Sequence, residues 1–312
     1  MSVFTPLTPD DIRQFLRQFD LGEYLHSEGI KGGSENTNYF VDCDSGRYVL
    51  TLVERGPIQD LPFFIQLLDC LKGAGLPVPF VHRNRDGQGL LSLKNKPALL
   101  QPRLAGKHPE LVSADQCAAL GAMLAKLHSA SCGLKRNSDR GPDWVLQHAR
   151  EFLSTAWQSE RDWLEPCLNQ LQTELLDNNP DLPQAVIHGD LFRDNAMFEG
   201  NQLSGVIDFY NAATGWTLLE LAICVNDWCI DHTDQGLQLN TDRVQALRDS
   251  YTQQRPLTAA EIRLWPLMLQ LAALRFWVSR QQYAEQHRNQ PGVLIKDPAY
   301  FRDLLKMSGE FI

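Results

Sequence analysis

At 312 residues the chain is long enough for two lobes of ordinary domain size, and a hydrophobic share of 43% suits a proper folded core. A net charge of -9 with a pI near 5.4 argues against a nucleic-acid partner, which favours a basic face, and suits an enzyme with a small-molecule substrate. The 7 cysteines include no Cys-x-x-Cys, so the expectation is free thiols in a reducing compartment and no zinc site.

The first nine residues hold no basic n-region and no apolar h-region, and no apolar stretch reaches the roughly 20 residues of a membrane helix. A cytoplasmic protein without membrane or nucleic-acid partners is expected. Thr8 is placed to cap a helix starting at Pro9, with Ile12, Phe15, Leu16 and Phe19 on its apolar face and Gly22 at its end. Ile30 to Val41 reads as a strand, a glycine-containing turn and a returning strand, and Tyr48 to Val53 as a third strand. Backbone N–H groups in such a turn can approach phosphate oxygens, because Gly32 and Gly33 carry no side chain. Ser34, Asn36 and Thr37 complete this candidate phosphate loop.

Leu61 to Leu71 forms a helix with Phe64, Leu67, Leu68 and Leu71 at helical spacing, ended by Gly73 and Gly75. Val78–Val81, Gly89–Leu93 and Pro97–Leu100 read as strands, with Arg85-Asp86-Gly87 as a turn. The lobes are expected at 1–100 and 107–312, joined by a hinge at 101–106, with Gln101 and Leu104 as hinge contacts. Ser113 and Gln116 form a capping box for a helix carrying Cys117, Leu120, Leu124 and Leu127, and His128 on it reads as core. Trp144–Trp163 and Pro166–Leu176 read as two more helices, and Pro180 and Pro183 break the chain before the next strand.

The chemistry sits between Val186 and Phe209. An apolar run leads into His188-Gly189-Asp190, Asn195 follows at a spacing of five, and a second apolar run ends in Asp208-Phe209. His-x-Asp-x-x-x-x-Asn followed by Asp-Phe is the constellation of phosphoryl transfer. That reaction asks a protein for positioning and charge neutralisation rather than covalent chemistry. Asp190 is the candidate base for the attacking hydroxyl; Asn195 and Asp208 are candidate magnesium ligands, with ATP as the donor. His188 reads as a structural hydrogen-bonder. Kinases usually carry a Lys on the third strand for the phosphates; here Thr51 stands in its place, with Arg55 the substitute and Lys31 next in line. Beyond Asp208, residues 210–216 read as a loop. Helices follow at Thr217–Ile230, Asp242–Tyr251, Ala259–Glu285 and the C-terminus, with Glu220 read as structural.

His188-Gly189-Asp190-Leu191 with Asn195 and Ile207-Asp208-Phe209 resembles the aminoglycoside phosphotransferase and choline kinase superfamily of small-molecule kinases. Leu191-Phe192-Arg193-Asp194-Asn195 and the Leu-Thr-Leu at Leu50-Thr51-Leu52 resemble its homoserine kinase branch. So do Leu221 to Cys229, Leu274 to Arg280 and Lys296-Asp297-Pro298. The resemblance covers the whole chain. It implies an α+β, two-lobed protein-kinase-like fold, with a small β-rich N-terminal lobe and a larger, mainly helical C-terminal lobe. It implies ATP-dependent phosphorylation of L-homoserine in threonine biosynthesis. Kinases of choline, ethanolamine, methylthioribose or aminoglycosides, and a nucleotide-binding pseudokinase, are the alternatives. Homoserine is a zwitterion, so its site must hold a carboxylate and an ammonium. Arg275 is the expected carboxylate partner and Asp227 the ammonium partner, with Trp216 or Trp228 closing the pocket.

Overall fold

In a computed structural model, Thr8 accepts a hydrogen bond from the Asp11 N–H, and the Asp11 carboxylate accepts one from the Thr8 N–H in return. This reciprocal box satisfies two of the donors that a helix start leaves open, and so begins α1 (Pro9–Leu16) where the sequence predicts it. The structure describes residues 4–30, 36–56, 58–130, 133–288 and 295–309. Its chain separates into two compact units. The first runs to Lys107 and takes in Met197–Glu199 and Ser204–Ile207; the second holds His108–Ala196, Gly200–Leu203 and the chain from Asp208.

The first unit is an antiparallel sheet of five strands in the order β1-β2-β3-β5-β4. These are β1 (Tyr24–Gly29), β2 (Thr37–Cys43), β3 (Gly46–Leu52), β4 (Leu91–Leu93) and β5 (Lys96–Pro102). Burial alternates along β2, as it must when successive side chains face opposite sides of a sheet. Tyr39, Val41, Leu50, Leu52 and Leu100 turn to one face, where Ile12, Phe15 and Leu16 of α1 cover them. Leu99 turns to the other and meets Val81 and Ile65 of α2 (Leu61–Gly73). Two strand assignments change. The first strand lies at Tyr24–Gly29, before the expected start at Ile30. Val78–Val81 joins no ladder: Pro79 has no N–H to give one, and the Val78 and Phe80 N–H groups turn to Leu76 and Val78 carbonyls.

The second unit is mainly helical. Ser113 and Gln116 close the predicted box at the start of α3 (Ala114–Ser129). The helix expected from Trp144 to Trp163 is broken: α4 (Pro142–Leu153) ends at Ser154, and α5 (Arg161–Leu171) starts after a single 3₁₀ turn. The break lets Trp157 turn inward and stack on Trp277, ring centroids 3.8 Å apart. Pro166 then lies inside α5 rather than opening it. β6 (Gln184–Ile187) pairs antiparallel with β9 (Ala213–Trp216), a strand within the stretch expected to be loop. In sequence between them, β7 (Ala196–Glu199) and β8 (Gln202–Val206) form a two-stranded sheet that belongs for the most part to the first unit. α6 (Thr217–Trp228) is buried on nearly every side. An unforeseen hairpin, β10 (Ile230–Thr233) and β11 (Gly236–Leu239), follows it. Then come α7 (Thr241–Thr252), the long α8 (Ala259–His287) and α9 (Ala299–Gly309). The sheet-bearing first unit and the helical second one bear out the α+β expectation.

No described helix is long and apolar enough to cross a membrane. Cys43, Cys117, Cys167, Cys224 and Cys229 are free thiols; Cys70 is disulfide-bonded, against the expectation of free thiols throughout.

Candidate active site

The loop after β6 is shaped by one residue without a side chain. Gly189 has φ +77, and a Cβ there would lie 3.0 Å from the Asn211 carbonyl oxygen. Only glycine takes that left-handed conformation freely and admits so close a backbone. From this turn the loop is gripped atom by atom. Glu220, fully buried on α6, accepts hydrogen bonds from the N–H of His188 and, at 3.0 Å, of Gly189. Arg275 on α8 donates from Nη1 to the Gly189 carbonyl at 2.6 Å. Trp228 donates from Nε1 to the Leu191 carbonyl at 3.0 Å. Asp227 accepts from the Arg193 N–H at 2.7 Å and from its Nε at 3.3 Å. Phe192, at the middle of the loop, packs on Phe276, ring centroids 4.5 Å apart.

Within this frame sit the three residues expected to do the chemistry. Asp190 is half-buried, and Asn211 donates to its Oδ2 at 3.4 Å. Burial pushes its carboxyl up to about 7; the Arg275 guanidinium pulls the other way, and the carboxylates of Asp208 and Asp194 add to the rise. Asn195 donates from Nδ2 to the Asp190 carbonyl at 2.8 Å, which leaves its amide oxygen as an acceptor. Asp208 stands at φ 64 and ψ 61, the left-handed region that a non-glycine residue enters only at a cost of about 1–2 kcal/mol. It is open to solvent yet crowded by protein. That crowding raises its carboxyl above the usual range, opposed by His188 and by the Tyr210 N–H. A carboxylate and an amide oxygen are the donors a hard divalent cation prefers. Among the described residues no group of three or more His, Cys, Asp and Glu side chains could cage a metal alone. The donor set therefore fits an ion that takes its other ligands from phosphate and water.

A model of the phosphotransferase enzyme family matches residues 26–257, and full-length relatives share far more. The homoserine kinase of Pseudomonas aeruginosa (strain LESB58) is 49% identical over 303 residues, 96% of this chain and 94% of the relative. Those of Methylobacillus flagellatus and Neisseria meningitidis serogroup B are 41% and 37% identical, each covering 99% of this chain and 95% and 100% of their own. The chain belongs to the phosphotransferase enzyme family. Solved structures agree on the fold. A spectinomycin phosphotransferase in complex with ADP and spectinomycin has a TM-score of 0.70 at 14% identity, covering 98% of both chains. The choline kinase of Cryptosporidium parvum has a TM-score of 0.65 at 12% identity, covering 97% of this chain and 95% of its own.

In this phosphotransferase the expected substrate residues divide. Trp228 is fully buried and bound to the loop carbonyl, so it cannot close a pocket, and Asp227 is taken up by Arg193. Both grip the loop instead. Trp216 and Arg275 do line one cavity of about 380 Å³ in the helical unit. Two donors of Arg275 are nonetheless committed, Nη1 to Gly189 and Nε to the Arg140 carbonyl at 3.3 Å. Arg275 thus holds the loop through the Gly189 carbonyl, and its charge lowers the proton affinity of Asp190.

Of the expected nucleotide contacts, Gly32, Gly33 and Ser34, and Lys31 beside them, lie outside the described residues. Asn36, Thr37 and Thr51 are buried and internally bonded: Asn36 Oδ1 accepts from the Glu54 N–H, Thr37 donates to Glu54, and Thr51 donates to Asn38. Their side chains serve the sheet. Arg55 lies over the Phe4 ring, 5.7 Å from its centroid. Gln101 donates to the Pro79 carbonyl, and Leu104 packs against Gly205. Sequence reasoning missed Asn211, whose place beside Asp190 has no motif, and it left Glu220 without partners. A carboxylate in so apolar a helix was the available signal that buried N–H groups need it.

Proposed function

We infer that this phosphotransferase is a homoserine kinase: it moves the γ-phosphoryl group of ATP to the hydroxyl of L-homoserine and yields O-phospho-L-homoserine, a step toward threonine. Identity to homoserine kinases over nearly the whole chain carries the reading. The loop supports it from the chemical side, since Asp190, Asn195 and Asp208 are the parts that phosphoryl transfer needs.

Asp190 accepts the proton of the substrate hydroxyl, and its raised proton affinity suits a base that works near neutral pH. Asn211 orients the carboxylate through Oδ2. Asn195 and Asp208 would hold a magnesium ion, which would offset charge on the phosphates. The nucleotide is held by the sheet unit, with the chain from Gln101 to Leu104 toward its base. The protein works in the cytoplasm on a free amino acid.

The deciding experiment is ADP release, coupled to a spectrophotometric readout, across homoserine, choline, ethanolamine, methylthioribose and an aminoglycoside. Homoserine is expected to give the highest kcat/KM. A better substrate among the others would reassign the enzyme, and release with none would make it a nucleotide-binding pseudokinase. Asp208→Ala is expected to lose magnesium-dependent ATP binding in calorimetry, because the phosphate charge then goes uncompensated. ATP binding that still responds to magnesium would remove Asp208 as the ligand.

A further inference from the structure

Resting on the homoserine reading, we propose that Arg140 and Asp143 hold the two charges of the amino-acid substrate, the guanidinium taking its carboxylate and the Asp143 carboxylate its ammonium. Both line the cavity of about 380 Å³ in the helical unit, within the usual range for a small-molecule site. The cavity reaches Gly189 and Asn211, the residue before Asp190 and the residue hydrogen-bonded to its carboxylate. A substrate held there would extend its hydroxyl past Gly189 and Asn211 toward Asp190, which adjoins the cavity through those two residues.

Two cations line the cavity, and they differ in what they are free to do. Arg275 is buried and spends Nη1 and Nε on backbone carbonyls. Arg140 is exposed, and among the described residues its side chain makes no hydrogen bond or ion pair, only a contact 6.0 Å from the Trp144 ring centroid. Asp143, three positions on, also makes no ion pair among the described residues, including with Arg140. Here both stay open on one cavity wall. Arg140 stands just before the Gly141 N-cap of α4, whose first N–H groups no side chain caps, and Asp143 lies in the first turn of the same helix. An α-amino acid carries its two charges on one carbon, so holding both fixes the direction of the tether to the hydroxyl. Asp190 receives that hydroxyl only when the direction is right.

The test compares homoserine with 3-aminopropanol, which lacks the carboxylate, and 4-hydroxybutyrate, which lacks the ammonium. In Arg140→Ala the preference for homoserine over 3-aminopropanol, as a ratio of kcat/KM, is expected to fall about 10- to 100-fold, the worth of a charge-assisted hydrogen bond. Its preference over 4-hydroxybutyrate should hold. Asp143→Ala should show the crossed pattern, and in both variants KM for homoserine should change more than kcat. Equal losses on all three substrates would make the pair structural, and unchanged ratios would remove it from the site. A parent enzyme that fails on homoserine while phosphorylating another alcohol would defeat the reading beneath, whatever the variants do.

Discussion

Asp190→Asn is expected to fold like the parent and to turn over about 10²–10⁴-fold more slowly, the usual worth of a positioned general base. Asparagine has the shape of aspartate, and the backbone contacts that hold the loop do not involve the Asp190 carboxylate. The Gly189 carbonyl still receives Arg275, and the Asp190 carbonyl still receives Asn195. What disappears is the acceptor for the hydroxyl proton. Stability should move little, and upward: burial raises the proton affinity of Asp190, so the ionised side chain is a cost to the folded state that the neutral amide does not carry. The measurements are kcat at saturating substrate and the melting temperature without nucleotide. A kcat within a few-fold of the parent would remove Asp190 as the base. A large loss of melting temperature would mean that the loop had collapsed.

The fold and the loop that carries Asp190 were legible in the sequence because both have local signatures. Thr8 with Asp11, and Ser113 with Gln116, are short-range boxes that write helix starts into the sequence. The His188–Asn195 spacing fixes a loop whose chemistry leaves few substitutes. Other features depended on partners distant in the chain. Asp227, Trp228 and Arg275 are polar or amphipathic residues in apolar helices, and such residues serve either a ligand or a buried backbone group. Here the partners are the Arg193 N–H and the Leu191 and Gly189 carbonyls, and a backbone group leaves no mark in the sequence. The same holds for β9. Its Ala213-Thr214-Gly215-Trp216 carries little strand propensity, and pairing with β6 makes it a strand. The break after Leu153 was hidden for a related reason. Trp157 takes its place from Trp277, 120 residues along the chain.

Glu220→Ala should produce the largest loss of stability of any single change near the site, about 2–6 kcal/mol. Glu220 accepts from both the His188 and the Gly189 N–H, and its carboxylate lies 3.9 Å from His128 Nε2. All of these groups are buried. Removing the acceptor strands two backbone donors, each worth about 1–3 kcal/mol when left unsatisfied, and alanine leaves a cavity besides. Glu220→Gln should cost less, since it keeps the volume and one acceptor oxygen, but its amide N–H₂ faces a donor. The pH dependence identifies the cause. Burial alone would raise the Glu220 carboxyl, but the His128 imidazole beside it, the charge of His188 and the Gly189 N–H outweigh it and hold the carboxyl below its usual range. A carboxyl depressed in the folded state contributes stability above its unfolded pKa, near 4.3, and loses it as pH falls through the lower folded value. The gap between parent and Glu220→Gln in urea midpoint should therefore be full at pH 7 and narrow below about pH 4, with the m-value unchanged. Turnover should fall with stability in Glu220→Ala, because the same two hydrogen bonds that anchor the turn aim Asp190. A variant that kept the parent's urea midpoint at pH 7 would show that the loop is held by Arg275, Trp228 and Asp227 without it.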